Sequence, residues 1–418
     1  MAIRVPRFRA DDLVDARERT LALVADLRDE DLLVPLLPTI NPLLWELGHV
    51  AFFAEHWTLR TMLGAPSLLP GSEGLYDSAK IAHDARWSLP LPSRSETLAY
   101  LERQLEATLD APYIDERSEY FNALALFHED MHGEATIYTR QTLEYAAPRL
   151  STFAPPLVRV EIEGDASIPA GRYHIGARRD DDFVFDNEKW EHEVELDGFR
   201  IARRCVTCAE FRAFVEDGGY RHQSLWSEEG RRWRVEARAE HPSLWRRSKE
   251  GWERRHFQRS IPLRDRDPVV HVNAYEAEAF ARWAGRRLPS EAEWEVAAMG
   301  GERRRYPWGE RPAHRDAANL DGWYGDVVSV DAFAESASPW GCVQMIGNVW
   351  EWTASPFLPY PGFSADPYAE YSQPWFGVQR SLRGGAWSSR ARMLSTRWRN
   401  FYLPHRRDII TGFRTCAL

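Results

Sequence analysis

Cysteine is scarce in this chain: Cys205, Cys208, Cys342 and Cys416 are the only four in 418 residues. That is too few for a secreted disulfide framework of this size. None precedes residue 205, which disfavours a closed, cysteine-bearing structural zinc site in the first part of the chain. The start, Met1-Ala2-Ile3-Arg4-Val5-Pro6, lacks an apolar leader core, and no apolar run is long enough to cross a membrane. A soluble, cytoplasmic protein without a membrane partner is the expectation. Basic charge is not in excess either. The formal net charge of −10 argues against nucleic acid as a main partner, because phosphate binding needs a basic surface. Internal repeats are not evident.

The apolar fraction of 44% can fill real cores, and the length favours two domains over one. Tryptophan is abundant, 18 residues, which points to aromatic-rich clefts. The most informative stretch is Phe127-His128-Glu129-Asp130-Met131-His132. His128 and His132 are one helical turn apart, so both imidazoles share a face and can grip one metal ion. Phe121, Leu124, Ala125, His128, His132, Ala135 and Thr139 form one stripe, with the acids elsewhere. The histidines thus stand where a buried face should carry leucines, and an unpaired buried imidazole is costly. The pattern is also H-E-x-x-H, in which Glu129 would be a general base. No histidine follows before His174, so the zinc-protease continuation is missing.

Helical periodicity predicts four amphipathic helices in the first part. One runs from Asp11 or Asp12 to about Arg28. A second opens at Asn41-Pro42 and carries Trp45, His49, Phe52, Phe53 and His56. A third is capped by Ser93 with Glu96, and a fourth spans about Glu116 to Tyr145. Such helices make an antiparallel bundle, in which inward-facing His49 can meet His128 and His132. The 62–92 connection is long enough to be functional. Its Tyr76, Lys80 and Arg86 are candidates to bind a polar ligand at the mouth of the bundle. Pro148 to Pro156 reads as a linker. Beyond it, strands are expected at Val158–Ile162, Gly171–Ile175 and Glu193–Ile201. Helices follow Thr207, Asn273 and Ser290. The charged run Arg231–Arg259 reads as a solvated excursion.

The second part resembles the formylglycine-generating-enzyme, or sulfatase-modifying-factor, domain. The resemblance rests on Ile168-Pro169-Ala170-Gly171, Phe185-Asp186-Asn187-Glu188, Arg287 to Glu295, Gly347-Asn348-Val349-Trp350-Glu351-Trp352, Leu382-Arg383-Gly384-Gly385 and Gly412-Phe413-Arg414. The first part resembles the DinB-like bundle through Pro42 to His49 and His128-Glu129-x-x-His132. The implied fold is α+β in two domains: a four-helix bundle over 1–150 and a C-type-lectin-like mixed domain over 151–418. The segment before the final Gly-Phe-Arg, Arg397 to His405, lacks the cysteine pair of the formylglycine enzymes, so their reaction is not expected.

The combination is similar to the ergothioneine sulfoxide synthases and their selenoneine-forming relatives. That resemblance implies Fe(II) held by His49, His128 and His132, with hercynine, a thiol or selenosugar, and O2 as small-molecule substrates. It implies a proton or hydrogen donor from the second domain, Tyr368 or Tyr371. Asn400, Phe401, Tyr402 and nearby Trp398 would bind substrate. Phe401 or Trp398 would meet the trimethylammonium group and Asn400 the imidazole or carboxylate. Two departures bear on the donor. Tyr402 stands where γ-glutamylcysteine-using members commonly carry an acid, and Met131 where many carry glutamine. Both tilt the expectation toward a selenosugar and a C–Se bond. The alternatives are an ergothioneine sulfoxide synthase using cysteine or γ-glutamylcysteine, a zinc hydrolase or thiol transferase of the DinB type, and a non-catalytic binding protein with a structural metal.

Overall fold

The computed structural model describes residues 10–112, 115–150, 152–181 and 183–418. The chain divides into two compact units, Met1–Leu150 and Ser151–Leu418. The first is helical: α1 (Ala10–Ala22), α2 (Leu43–Ala54), the one-turn α3 (Glu73–Tyr76), α4 (Arg94–Leu109) and α5 (Glu116–Thr142). Helix α2 packs on α4 and α5, and α1 on α5 and α4. Every residue of α2 is buried, which its run of Leu, Trp, Val and Phe demands. Ser93 and Glu96 cap α4 reciprocally, as their spacing predicts.

Two helix boundaries differ from the sequence pattern. Helix α1 ends at Ala22 rather than near Arg28. Buried Arg140 takes the Leu23 carbonyl at 2.6 Å and Asp26 at 2.8 Å, while Arg94 takes the carbonyls of Val24 and Leu27. Tertiary partners thus satisfy backbone groups that another helical turn would have used. Helix α2 continues as a π-helical segment, Glu55–Thr61. There the fully buried Glu55 accepts from the Tyr100 hydroxyl at 2.5 Å and the Leu68 N–H at 3.1 Å.

The second unit is mixed. Its strands are β1 (Asp165–Ile168), β2 (Gly171–Ile175), β3 (His192–Leu196), β4 (Phe199–Ala202), β5 (Trp245–Ser248), β6 (Gly251–His256), β7 (Arg259–Pro262), β8 (Arg286–Arg287), β9 (Trp350–Pro356), β10 (Arg380–Arg383), β11 (Asn400–Tyr402), β12 (Thr411–Gly412) and β13 (Cys416–Ala417). They form sheets ordered β1-β4-β13-β8, β11-β10-β9-β12, β2-β3 and β5-β6-β7. Helices α6 (Cys208–Glu216), α7 (Glu228–Glu236), α8 (Ala274–Trp283) and α9 (Glu291–Met299) complete it.

Three expectations need correction here. The first strand is Asp165–Ile168, not Val158–Ile162: Val158 and Val160 are exposed, and the Ile162 N–H is held by Asp331 at 2.8 Å. The run Glu193–Ile201 is two strands, broken between Leu196 and Phe199. The charged Arg231–Arg259 excursion, although largely solvent-exposed as its charge suggests, is more than that: it holds the β5-β6-β7 meander, anchored by buried Trp245 and Phe257 and by buried Arg254 paired with Asp326.

The motifs that carry the family resemblance meet in buried ion pairs. Arg414 grips Glu351 through two 2.7 Å bonds, and the Trp294 indole donates to the same carboxylate at 2.9 Å. Arg383 joins Glu291 and Glu295 at 3.0 and 2.6 Å. Arg399 takes Glu291 through both oxygens at 2.8 and 2.9 Å. Charges removed from water need such partners, so these residues chiefly hold the unit together. All four cysteines are free and buried, and burial pushes the Cys416 thiol up to about 12.

Candidate metal centre and substrate-side residues

Helices α2 and α5 bring His49, His128 and His132 together, with one ligand nitrogen from each all within 4.8 Å of one another. His49 and His128 are buried and His132 is partly exposed. The hydrogen bonds decide which nitrogen faces inward. The His49 Nδ1–H donates to the Tyr76 carbonyl at 2.7 Å, leaving Nε2 with its lone pair. The His132 Nδ1–H donates to the Glu46 carboxylate. Burial by itself would push the Glu46 carboxyl up, but the adjacent His132 and His49 and the Asn41 amide outweigh it and hold Glu46 ionised, at about 2. Burial lowers His49 to about 3 and His128 well below its usual range, so both rings are neutral at pH 7.

These residues fit a metal ion. The Nε2 atoms of His128 and His132 are 3.2 Å apart. One shared proton would join only those two nitrogens, whereas a cation can take a lone pair from all three. Among the described residues no carboxylate or thiolate joins the cluster as a further ligand. Three neutral nitrogens leave coordination positions open, as in catalytic rather than closed structural sites. Carboxylate and carbonyl partners behind the ligating histidines are the usual second layer of such centres.

Packing orients the rings. His49 stacks on Trp45 at 4.6 Å and His128 on Phe53 at 3.5 Å. Gly48 lets Tyr76 lie against α2, because a Cβ there would fall 2.5 Å from the Tyr76 hydroxyl oxygen and closer still to its ring. Glu129 points away from the histidines. It pairs with Arg17 at 2.8 and 3.1 Å, and Arg17 also bonds Gln104 and the Leu101 carbonyl. Glu129 therefore joins α1, α4 and α5, and the general-base role of the H-E-x-x-H reading is corrected.

The 62–92 candidates have different surroundings from those their sequence position suggested. Tyr76 is fully buried, and its backbone carbonyl rather than its hydroxyl reaches the histidines. Arg86 is half-buried, lying 4.1 Å from the Trp45 ring centroid with Nη1 donating to Asn41 Oδ1 at 2.7 Å. Lys80 is exposed and pairs with Asp77 at 2.7 Å.

In the second unit an aromatic cluster gathers several candidates. Tyr371 stacks on Phe185 at 3.9 Å, Trp398 meets Phe185 edge-on at 5.4 Å, and Phe401 lies 5.5 Å from Tyr371 and 4.0 Å from Phe357. Tyr368 is 5.9 Å from Tyr371. The segment bearing both tyrosines is clamped at its ends: Asp366 pairs with Lys189 at 2.6 Å, and Ser372 bonds Asp186 and Asn187. Burial, with Glu188 and Asp186 nearby, pushes the Tyr371 hydroxyl well above its usual value. Strand alternation on β11 turns Asn400 and Tyr402 to one face and Phe401 to the other. Asn400 Oδ1 accepts from the Phe401 N–H at 2.8 Å, and Arg406, paired with Asp408, lies 5.2 Å from the Tyr402 ring.

The sulfatase-modifying factor enzyme 1-like domain family matches residues 152–417 and the DinB superfamily residues 12–112. Hercynine oxygenase of Mycobacterium tuberculosis is 39% identical, covering 98% of each chain. Hercynine oxygenase of Mycolicibacterium thermoresistibile is 39% identical over 97% of this chain and 93% of its own. The formylglycine-generating enzyme of Streptomyces coelicolor is 33% identical over 54% of this chain and 78% of its own.

The chain belongs to the hercynine oxygenase family. It is an enzyme of that family, a DinB-type helical domain followed by a sulfatase-modifying-factor domain. The match to the DinB superfamily stops before α5, so the two histidines of α5 lie outside it. Sequence reasoning missed Glu46, Asn41 and Phe185 as site-building residues. One signal for Glu46 was legible: a lone acid on an otherwise apolar helix, within a turn of His49, needs a buried partner.

Proposed function

We propose that this enzyme holds Fe(II) on His49, His128 and His132 and uses O2 to join a selenium or sulfur atom to C2 of the hercynine imidazole. The three-histidine cluster, in a chain matched end to end by hercynine oxygenases, carries this reading. Bound iron would supply the open positions and electrons that let O2 react, which side chains alone cannot do. The C2–H bond, the Se–H or S–H bond and the O–O bond are broken and a C–Se or C–S bond forms; one oxygen atom of O2 ends on the selenium or sulfur as a selenoxide or sulfoxide, and the other leaves as water with the two hydrogens.

The protein's own groups supply binding and orientation. Hercynine carries a fixed positive charge, which Phe401 and Trp398 meet with aromatic faces. Asn400 still has its amide N–H groups to offer the imidazole or carboxylate. Because β11 is an edge strand and Phe401 and Asn400 point to opposite faces, a ligand touching both lies across that edge. Tyr371 or Tyr368 delivers a proton or hydrogen; the raised Tyr371 hydroxyl keeps its proton at neutral pH.

The donor we favour is a selenosugar. An amino-acid thiol brings an ammonium group, and an unpaired charge in a partly dry site costs several kcal/mol, roughly. Tyr402 offers no negative charge, and Arg406, which lies 5.2 Å from its ring, is paired with Asp408 at 2.6 Å. Sugar hydroxyls need only hydrogen-bonding and aromatic partners. The test is anaerobic Fe(II) reconstitution followed by mass spectrometry of hercynine incubated with O2 and a 1-seleno-sugar, cysteine or γ-glutamylcysteine. A hercynyl selenosugar, or its selenoxide, supports the full reading. A sulfoxide from a thiol donor alone keeps the family chemistry and overturns the donor. No hercynine product with any donor overturns the reaction.

A further inference from the structure

Arg86 is bound up with the metal ligands in a way that a substrate-binding arginine would not need. The segment around it is docked on the chain before α2. The His83 Nε2–H donates to the Ile40 carbonyl at 2.8 Å, and the Trp87 indole N–H to the Val34 carbonyl at 2.9 Å. This places the Arg86 guanidinium over Trp45, whose indole N–H in turn reaches the Leu75 carbonyl at 2.7 Å. From there a line of hydrogen bonds runs inward. Arg86 Nη1 donates to Asn41 Oδ1 at 2.7 Å, Asn41 Nδ2 donates to Glu46 Oε1 at 2.6 Å, and Glu46 Oε2 accepts from His132 Nδ1.

The direction of every bond in this line is fixed by chemistry. Arginine has donors only and an ionised carboxylate acceptors only. The Asn41 amide between them has one workable orientation, oxygen to Arg86 and nitrogen to Glu46. Glu46 then presents an acceptor to His132, and His132 keeps Nε2 for a metal.

We propose that Arg86 is a positioning residue for His132, acting through Asn41 and Glu46, so that the 72–87 segment is an outer layer of the metal centre rather than a donor-substrate clamp. The inference rests on the three-histidine reading. Tyr76, in the same segment, does the equivalent for His49 through its carbonyl.

The line makes an unusual prediction about pairs of changes. In Glu46→Gln the new amide must turn its oxygen to His132, so its N–H groups face Asn41. Asn41 can answer only by flipping, and then its own N–H groups face Arg86. Donor meets donor at one joint or the other. Replacing Arg86 by Met keeps the apolar packing on Trp45 and frees Asn41 to flip. We therefore expect Glu46→Gln to weaken metal binding about 10- to 100-fold and Arg86→Met alone to weaken it less, about 3- to 5-fold, because Asn41 loses its anchor but keeps its bond to Glu46. The double variant should recover most of the loss on a logarithmic scale. Full-length protein titrated with Co(II), followed by its visible spectrum, and with Fe(II) in competition, reads these constants.

A second readout needs no metal. In the metal-free protein, nitrogen-15 shifts of the His132 ring report which nitrogen carries the proton. Wild type should carry it on Nδ1, Glu46→Gln should lose that preference, and the double variant should regain it. Additive effects in both measurements, or an unaffected Glu46→Gln variant, overturn the relay. A wild type that takes no metal but shows the expected ring pattern overturns the metal reading and leaves the relay standing.

Discussion

Gly48→Ala should weaken this protein although alanine is the better helix former. On an exposed helix the change would gain about 1 kcal/mol. Here the new methyl falls 2.5 Å from the Tyr76 hydroxyl oxygen and inside 3.0 Å of two ring carbons. Tyr76 has no exposed surface, so its ring cannot swing away without opening the core. Overpacking of this kind costs about 1–3 kcal/mol, and full burial puts this site at the upper end. Displacing Tyr76 also strains the hydrogen bond from its carbonyl to His49, worth about 1 kcal/mol. The balance is a loss of about 2–3 kcal/mol. Urea unfolding followed by the helical far-UV signal, on metal-free protein, would measure it. Tyr76→Leu in the alanine background should return part of the loss, since a leucine does not reach as far along the helix. A Gly48→Ala protein more stable than wild type by about 1 kcal/mol would mean that the Tyr76 ring is not where we place it.

Four further outcomes follow from the geometry. Replacing His128 and His132 together by Ala should abolish iron loading by elemental analysis; stoichiometric iron in that variant would refute the ligand set. Burial pushes Glu188 up to about 8, so the folded state holds a proton that the unfolded state releases above its ordinary carboxylate range. This contribution is full below about pH 4.5 and is lost as pH rises through about 8, a change of a few kcal/mol, roughly. Glu188→Gln should flatten that part of the stability profile, and an unchanged profile would show Glu188 ionised throughout. Phe401→Ala should raise the hercynine KM about 5- to 30-fold, the equivalent of 1–2 kcal/mol of cation–π contact, with a smaller change in kcat; an unaltered KM would place the trimethylammonium elsewhere. Tyr402→Asp should shift competition toward γ-glutamylcysteine, whereas a wild type already preferring that thiol by about tenfold, 1.4 kcal/mol, would show this position misread.

Legibility from sequence followed the range of the interactions involved. The histidine pair on α5 was readable because one helical turn is a local distance, and His49 because its neighbours Trp45, Phe52 and Phe53 mark the same inward face. The capping boxes at Ser93 and Ser290 and the helix starts after Thr207 and Asn273 are likewise short-range, and the structure forms each of them. The end of α1 was not readable, because Arg140 and Arg94 take its would-be carbonyls from far along the chain. Nor was the order within Arg231–Arg259, where charge suggested solvent but Arg254 is buried against Asp326.

The same division runs through the site. Residue types and spacing alone determined that three imidazoles face inward in a helical unit and that no cysteine accompanies them. Which nitrogen each ring offers was decided only by tertiary structure, because it depends on what sits behind the ring: the Tyr76 carbonyl behind His49 and the Glu46 carboxylate behind His132. Tyr76 and Arg86 read alike from the sequence, as polar groups on a long loop. Folding buried one and turned the other onto Asn41, since a side chain's partners are set by which chain segments pack beside it and not by its neighbours in sequence.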